Sequence, residues 1–389
     1  MTRPLRVALV AGEASGDLLG AAFMAALRQL HPDVSFTGVA GPRMIAAGCT
    51  ALAHSEELAV MGLFEILRHL PRLLRLRRRI RRELLALQPD VFVGIDAPEF
   101  NLGLARQLHD TGRLTVQYVS PQVWAWRQGR VRSIAAAVDL VLCLLPFEKA
   151  FYARHAVRAE FVGHPLADQI PLHSDRSAAR AALGLPLDAT VIALLPGSRM
   201  GEVTRLGADF AATAALLTSR AAPGQAPLFI APMANTKVRE VFAAQVAIAG
   251  AQVTLLDGES RLALASADAV LVASGTATLE TLLTKRPMVA AYRFAPLTAF
   301  LAKRLGLVKV QYFSQPNLLA GEALVPEFLQ SQVTPQALAD ALTQQLTDTA
   351  ARAHREAAFE AIHLQLRQDG ASKAAAAVLA LLHDRGIGV

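Results

Sequence analysis

Short β-rich apolar runs alternate with longer helix-patterned segments along almost the whole chain, and this alternation narrows the fold more than any other feature. Strands separated by a helix's length of chain pair in parallel rather than as hairpins, with helices covering the sheet faces. The first series of strand candidates comprises Arg6–Gly12, Phe36–Ala40, Val91–Asp96, Thr115–Ser120, Leu140–Leu145 and Glu160–Gly163. A polar stretch, Ala167–Arg176, reads as a linker. The second series follows it: Thr190–Leu195, Leu228–Ala231, Gln252–Leu256, Ala269–Ala273 and Met288–Tyr292. From about Thr334 the pattern is helical and ends in the Ala-rich Ala371–Leu382. The expected fold class is α/β, with two Rossmann-like units in tandem and a cleft between them. Open sheets of this kind bind ligands beyond the carboxyl ends of their strands, so the residues just after each strand carry the functional argument.

Composition removes several classes. The longest apolar runs stop well short of the ~20 residues a membrane span needs. The first run, Val7–Ala11, is shorter than a signal-peptide core and ends at Gly12-Glu13, so it reads as a strand. Cys49 and Cys143 are the only cysteines and give neither a disulfide framework nor metal-ligand spacing. The chain therefore reads as cytoplasmic, with no structural metal. A net charge of +7 favours an anionic partner, and nucleic acid, acidic lipid and phosphorylated metabolites all qualify.

Ser274-Gly275-Thr276-Ala277-Thr278-Leu279-Glu280 follows an apolar strand and opens a helix. Unpaired N–H groups at a helix start, with the positive end of the helix dipole, can hold a phosphate. Glu280, about one turn in, could accept hydrogen bonds from ribose hydroxyls, as the acid of dinucleotide sites does. The structural alternative is a Ser-capped core helix. Leu195-Pro196-Gly197-Ser198-Arg199 ends the first strand of the second series, and the Arg199 fork matches phosphate oxygens. Against that stands an ordinary surface arginine. Asn317, in Gln315-Pro316-Asn317-Leu318-Leu319, reads as a turn residue.

In the first series, Gly12-Glu13-Ala14-Ser15-Gly16-Asp17 permits a tight strand-to-helix turn but lacks the full dinucleotide glycine spacing. Asp96 ends the apolar run Val91–Ile95, where it can act as a general base toward a hydroxyl or cap the helix that follows. Ser120-Pro121-Gln122-Val123-Trp124-Ala125-Trp126 carries both tryptophans, which either pack a core or line an acyl or sugar surface. Residues 68–82 contain eight arginines, among them Arg72, Arg75 and Arg79. Leu73, Leu76, Ile80, Leu84 and Leu87 recur beside them at helical spacing. The preceding Met61-Gly62-Leu63-Phe64-Glu65-Ile66-Leu67 is apolar on more than one face, which favours an anionic membrane surface over a merely solvated helix.

In order, these motifs resemble the lipid-A-disaccharide synthase family. The matching stretches are Gly12–Asp17, Val60-Met61-Gly62, Gly94–Pro98, Val119–Trp126, Phe161–Leu166, Leu195–Arg199, Ser274–Glu280 and Pro316–Leu319. The resemblance implies a GT-B fold of two facing Rossmann-like domains, with C-terminal helices returning to the first. The corresponding division is 1–168, 169–345 and 346–389. It also implies an inverting, metal-independent transfer of a 2,3-diacylated glucosamine from UDP to the 6-hydroxyl of 2,3-diacylglucosamine 1-phosphate. No cofactor is implied. By the same resemblance Arg199, Ser274, Gly275, Thr276, Glu280 and Asn317 lie at the UDP-sugar and Asp96 is the base. Ser15, Gly16, Asp17 and Gln122 then line the cleft loop. Met61, Leu63, Phe64, Arg72, Arg75 and Arg79 would face the inner surface of the cytoplasmic membrane. Two alternatives compete with this reading. A UDP-N-acetylglucosamine 2-epimerase shares the architecture but needs no lipid surface. A non-enzymatic nucleic-acid-binding module would interleave exposed aromatics with its basic stripe, and residues 68–82 contain none. Acyl-chain length, oligomeric state and depth of membrane insertion are not written in the sequence.

Overall fold

The computed structural model describes residues 4–58, 63–125, 128–294 and 311–387, with the backbone alone over 63–70. The chain divides into two compact units, residues 1–168 with 366–389, and residues 169–365.

The first unit is built on seven parallel strands: β1 (Leu5–Ala11), β2 (Val34–Ala40), β3 (Cys49–His54), β4 (Val91–Ile95), β5 (Leu114–Tyr118), β6 (Leu140–Cys143) and β7 (Ala159–Phe161). Their order is β3-β2-β1-β4-β5-β6-β7, so the chain reverses its direction of travel between β1 and β4. Strand β1 is central and covered on both faces, which is why it reads as a nearly unbroken apolar run. Its alternate residues separate two cores. Leu5, Val7 and Leu9 meet Phe23, Met24 and Leu27 of the helix Ala14–Leu30, together with Val378 and Leu381 of the last helix, Gly370–Asp384. Ala8 and Val10 join Phe92, Ile80, Leu84 and Leu104 on the other face.

The second unit holds six parallel strands: β8 (Val191–Leu195), β9 (Leu228–Met233), β10 (Val253–Asp257), β11 (Ala269–Ala273), β12 (Met288–Tyr292) and β13 (Glu327–Leu329). The order β10-β9-β8-β11-β12-β13 reverses between β8 and β11. Ile192 and Leu194 anchor its core against Phe210, Ala214, Phe242, Leu338 and Leu342.

The structure departs from the sequence reading at several places. Strands β3 and β13 were not anticipated. The first is a sheet-edge strand with only Cys49 and Ala53 buried, and the second is three residues long. The expected linker Ala167–Arg176 is irregular over 170–175, between the helix Pro165–Gln169 and a helix beginning at Arg176. The return to the first unit begins at Leu366 rather than at 346. The helix Thr349–Leu366 lies almost wholly in the second unit, where the His363 ring meets Lys285. Asp168 then fixes the last helix, its carboxylate accepting from the N–H groups of Gln368, Asp369 and Gly370 at 2.8–3.0 Å.

Candidate functional site

The reversal point of each sheet is where a parallel α/β unit opens a crevice at its strand ends, and the chemically suggestive loops follow the strands that flank it. In the first unit, β4 ends at Ile95, and Asp96 and Ala97 follow at φ +52° and +40°. Left-handed backbone in non-glycine residues costs roughly 1–2 kcal/mol each and clusters at functional sites. Asp96 is not a helix cap. Ala97 occupies the N-cap of the helix Pro98–His109. The Asp96 carboxyl is half-buried, and its pKa is raised because burial disfavours the charge more than a hydrogen bond from the Ala97 backbone favours it. A carboxylate with raised proton affinity at a strand end suits a general base.

The backbone around Asp96 is tightly held. Its N–H donates to Tyr118 O at 2.8 Å. Its carbonyl accepts from Asn101 Nδ2 at 2.8 Å and from Gln117 Nε2 at 3.1 Å, both side chains being fully buried. The sequence reading passed over these two amides. Gln117 carried a signal, since a long polar side chain stands inside the central strand Leu114–Tyr118.

The neighbouring loop residues separate into open and spent groups. Ser15 and Gln122 are exposed. Gly16 is buried, packed within reach of Ala11 and the Ile95 carbonyl. Asp17 is buried, with its carboxylate accepting from the N–H groups of Gly41, Arg43 and Met44 at 2.9–3.0 Å. It therefore anchors the start of the helix Pro42–Ala46 instead of facing a ligand. Trp124 is likewise committed. Its indole N–H donates to Glu148 at 3.0 Å, and its ring stands edge-on to Phe147 with centroids 4.8 Å apart. Burial pushes the Glu148 carboxyl up to about 7, opposed by donation from the Leu145 backbone and from Trp124.

In the second unit, β8 runs into Pro196-Gly197-Ser198-Arg199. Gly197 has φ +130°, and a Cβ there would fall 2.4 Å from that of Glu202. Only glycine lets the loop lie this close to the helix Met200–Arg220. Glu202 accepts from the N–H groups of Ser198 and Arg199 at 3.1 and 3.3 Å. The Arg199 guanidinium is 70% exposed, and its ion pair with Glu202 is long, at 3.7 Å, which leaves it open to an anion.

Beyond β11, Gly275 is the N-cap of the helix Thr276–Leu283, with no side chain capping it. The Ser274 hydroxyl donates to Phe313 O at 3.0 Å, so the Ser-cap alternative does not hold. Gly275 and Thr276 are exposed. Thr278 Oγ1 accepts from Gln315 N at 3.2 Å and binds the 313–315 segment to the helix start. The Glu280 carboxyl, half-buried one turn in, is raised by burial and lowered in part by Arg261 and by a hydrogen bond from Ser260. Ser260 and Arg261 open the helix that follows β10 and were missed in the sequence.

Asn317 corrects a ligand-facing expectation. It is fully buried, and its amide donates to Val325 O and Glu327 while accepting from Val325 N, each at 2.9 Å. Glu327 also receives the N–H groups of Phe313 and Ser314. Asn317 thus holds the shape of the segment beside Ser274 from behind.

Arg72, Arg75 and Arg79 are exposed on the helix Leu63–Leu87 and share an open hollow of about 220 Å³ with Glu57 and Leu76. Leu76, Ile80 and Leu84 are buried on the adjoining face, whereas Leu87, expected in that stripe, is 42% exposed. Met61 and Trp126 lie outside the described residues, as do the side chains of Leu63 and Phe64. Among the described residues, no helix is long and apolar enough to cross a membrane, and no group of three or more His, Cys, Asp or Glu side chains could hold a metal ion.

The family model described as lipid-A-disaccharide synthetase matches residues 7–381. A lipid-A-disaccharide synthase from Pseudomonas aeruginosa (strain UCBPP-PA14) is 55% identical over 389 residues, covering 99% of this chain and 100% of the relative. Anabaena HepE, solved with UDP and glucose, superposes with a TM-score of 0.56 at 15% identity, covering 97% of this chain and 100% of that one. A Neisseria meningitidis UDP-GlcNAc 2-epimerase bound to UDP-GlcNAc gives 0.63 at 13% identity, covering 98% and 100%. At such identities the structural likeness shows the fold alone, the two-sheet α/β architecture of the GT-B class. Transferase and epimerase share it, so the fold does not separate them; the match of sequence over the full length does.

Proposed function

The chain belongs to the lipid-A-disaccharide synthase family, and on that premise we propose how its residues carry out the reaction. It is a hexosyltransferase with a nucleotide-sugar donor and a sugar-phosphate acceptor. The specific substrates we assign are UDP-2,3-diacylglucosamine and 2,3-diacylglucosamine 1-phosphate, giving the β-1,6-linked disaccharide 1-phosphate and UDP. The observation that carries this reading is the family match across residues 7–381.

In the proposed mechanism the donor's diphosphate takes the open start of the helix Thr276–Leu283, beside Ser274, Gly275 and Thr276. Glu280 accepts hydrogen bonds from the ribose. The acceptor 6-hydroxyl attacks the anomeric carbon as Asp96 takes its proton, and the bond from that carbon to the UDP oxygen breaks with inversion. The raised proton affinity of Asp96 supports this role. The exposed Arg199 stabilises charge developing on the departing UDP. Ser15 and Gln122, exposed at neighbouring strand ends, are available to the acceptor sugar. Arg72, Arg75 and Arg79 would hold the enzyme on acidic headgroups at the inner face of the cytoplasmic membrane, each contributing about 1 kcal/mol.

The test is direct. The purified protein, incubated with both diacylated substrates, should yield the tetra-acylated disaccharide 1-phosphate by mass analysis, and Asp96→Asn should retain UDP binding while losing most turnover. No product from the native enzyme would refute the substrate assignment. Near-normal turnover of Asp96→Asn would remove Asp96 as the base.

A further inference from the structure

We propose that Asn101 and Gln117 are positioning residues for the reaction, a pair of buried amides that fix the Asp96 carboxylate by gripping its own carbonyl. The inference rests on reading Asp96 as the base and extends it to two side chains that touch no substrate.

Asn101 Nδ2 lies within 2.8–3.3 Å of three carbonyl oxygens, those of Val10 at the end of β1 and of Ile95 and Asp96 at the end of β4. Gln117 Nε2 lies within 3.1–3.4 Å of the same Asp96 carbonyl and of two more, on Tyr118 and Val119. The two amides therefore tie together the carboxyl ends of three adjacent strands, and the Asp96 carbonyl is the one acceptor common to both. Asp96, Ala97 and Val119 all have left-handed backbone, at φ +52°, +40° and +74°. For a β-branched residue such as Val119 that conformation is an outlier.

Packing alone gives no reason for two amides here. Both side chains are fully buried, and Asn101 Oδ1 and Gln117 Oε1 have no hydrogen-bond partner among the described residues. An unpaired buried carbonyl is unfavourable, so each amide is kept for its donor, which satisfies strand-end carbonyls that an apolar residue of the same shape would leave unpaired. Room has also been made for Asn101, because a Cβ on Gly94 would lie 2.8 Å from its own. With the Asp96 N–H bound to Tyr118 O and its carbonyl bound twice, the backbone is held, and with it the direction in which the Cα–Cβ bond carries the side chain.

The test uses the full-length enzyme with Asn101→Leu and Gln117→Met, near-isosteric changes that remove the donors. Each folded variant should lose about 10- to 100-fold in kcat, with the KM for the UDP-sugar and the affinity for UDP within about 2-fold of native. The acid limb of the kcat–pH profile should move. Gln117→Glu, which keeps the length of the side chain but offers only acceptors once ionised, should add a loss of turnover with rising pH that the native enzyme lacks. Combined with Asp96→Asn, neither substitution should lower the rate further. Native kcat and an unmoved pH limb in a folded variant would make the amides structural only, as would rate losses that add fully to that of Asp96→Asn. If Asn101→Leu does not fold, Gln117→Met, which removes one of the two donors to Asp96, is read by the same criteria. High activity of Asp96→Asn alone would instead dispose of the base on which the inference rests.

Discussion

Single residues divide here by whether their polar atoms are already committed. Arg199 is not, because its guanidinium is 70% exposed with one long contact to Glu202. Arg199→Ala should therefore cut kcat by about 10²- to 10³-fold, as loss of a transition-state charge partner does, while the melting temperature stays within a degree or two. A large fall in melting temperature would make Arg199 structural. Glu148 is the opposite case, a buried carboxyl between Trp124 and the Leu145 N–H whose pKa is raised from 4.5 to about 7. A carboxyl that binds its proton more tightly when folded stabilises the fold fully below its unfolded pKa and loses that contribution as pH rises through the folded value. Stability should fall between about pH 4.5 and 7 by at most ~3 kcal/mol from this group. Denaturant titrations of the native protein and Glu148→Gln should differ in slope across that window. Identical slopes would exclude Glu148 as the source.

At the scale of elements, the helix Leu63–Leu87 shows how one segment serves two surroundings. Leu76, Ile80 and Leu84 bury against the sheet, while Arg72, Arg75 and Arg79 stand outside. Exposed charges add little to folding, so replacing all three arginines with Ser should leave the melting temperature nearly unchanged. Binding to anionic vesicles should weaken by roughly 3 kcal/mol, about a hundredfold, at low salt. Unchanged cosedimentation would return the helix to a merely solvated role. Of the two roles open to Trp124, packing is the one it takes, because the helix Pro146–Ala153 brings a buried Glu148 to its indole N–H.

At the scale of the whole molecule, the first unit is completed by the last 24 residues of the chain, 366–389. Val378, Leu381 and Leu382 are at most 2% exposed in its core. At 1.5–3 kcal/mol each, their burial is worth roughly 5–9 kcal/mol, comparable with the entire stability of a typical domain. Truncation after Gln365 should therefore unfold the first unit and leave the second cooperative. Hydrogen exchange resolved by peptide would read this as loss of protection confined to residues 4–168. Full protection there would show that the first unit folds without its final helix.

Much of this was legible from local pattern alone. Periodicity set the α/β class and the two series, because a central parallel strand must be apolar on both faces and a covering helix on one. The loops worth examining were legible too, since Asp96, Arg199 and Ser274–Glu280 simply follow strands. Tertiary structure decided which polar groups remain available. Asp17 is consumed by N–H groups 24 to 27 residues away and Asn317 by Val325 and Glu327, 8 and 10 residues on, whereas among the described residues Arg199 has only a 3.7 Å contact to Glu202. Asn101 reaches Val10 across 91 residues of sequence. Hydrophobic period is a property of neighbours along the chain, but a polar atom is satisfied by whatever the fold brings to it, and only the assembled strand ends show whether an amide or carboxylate still has something to give.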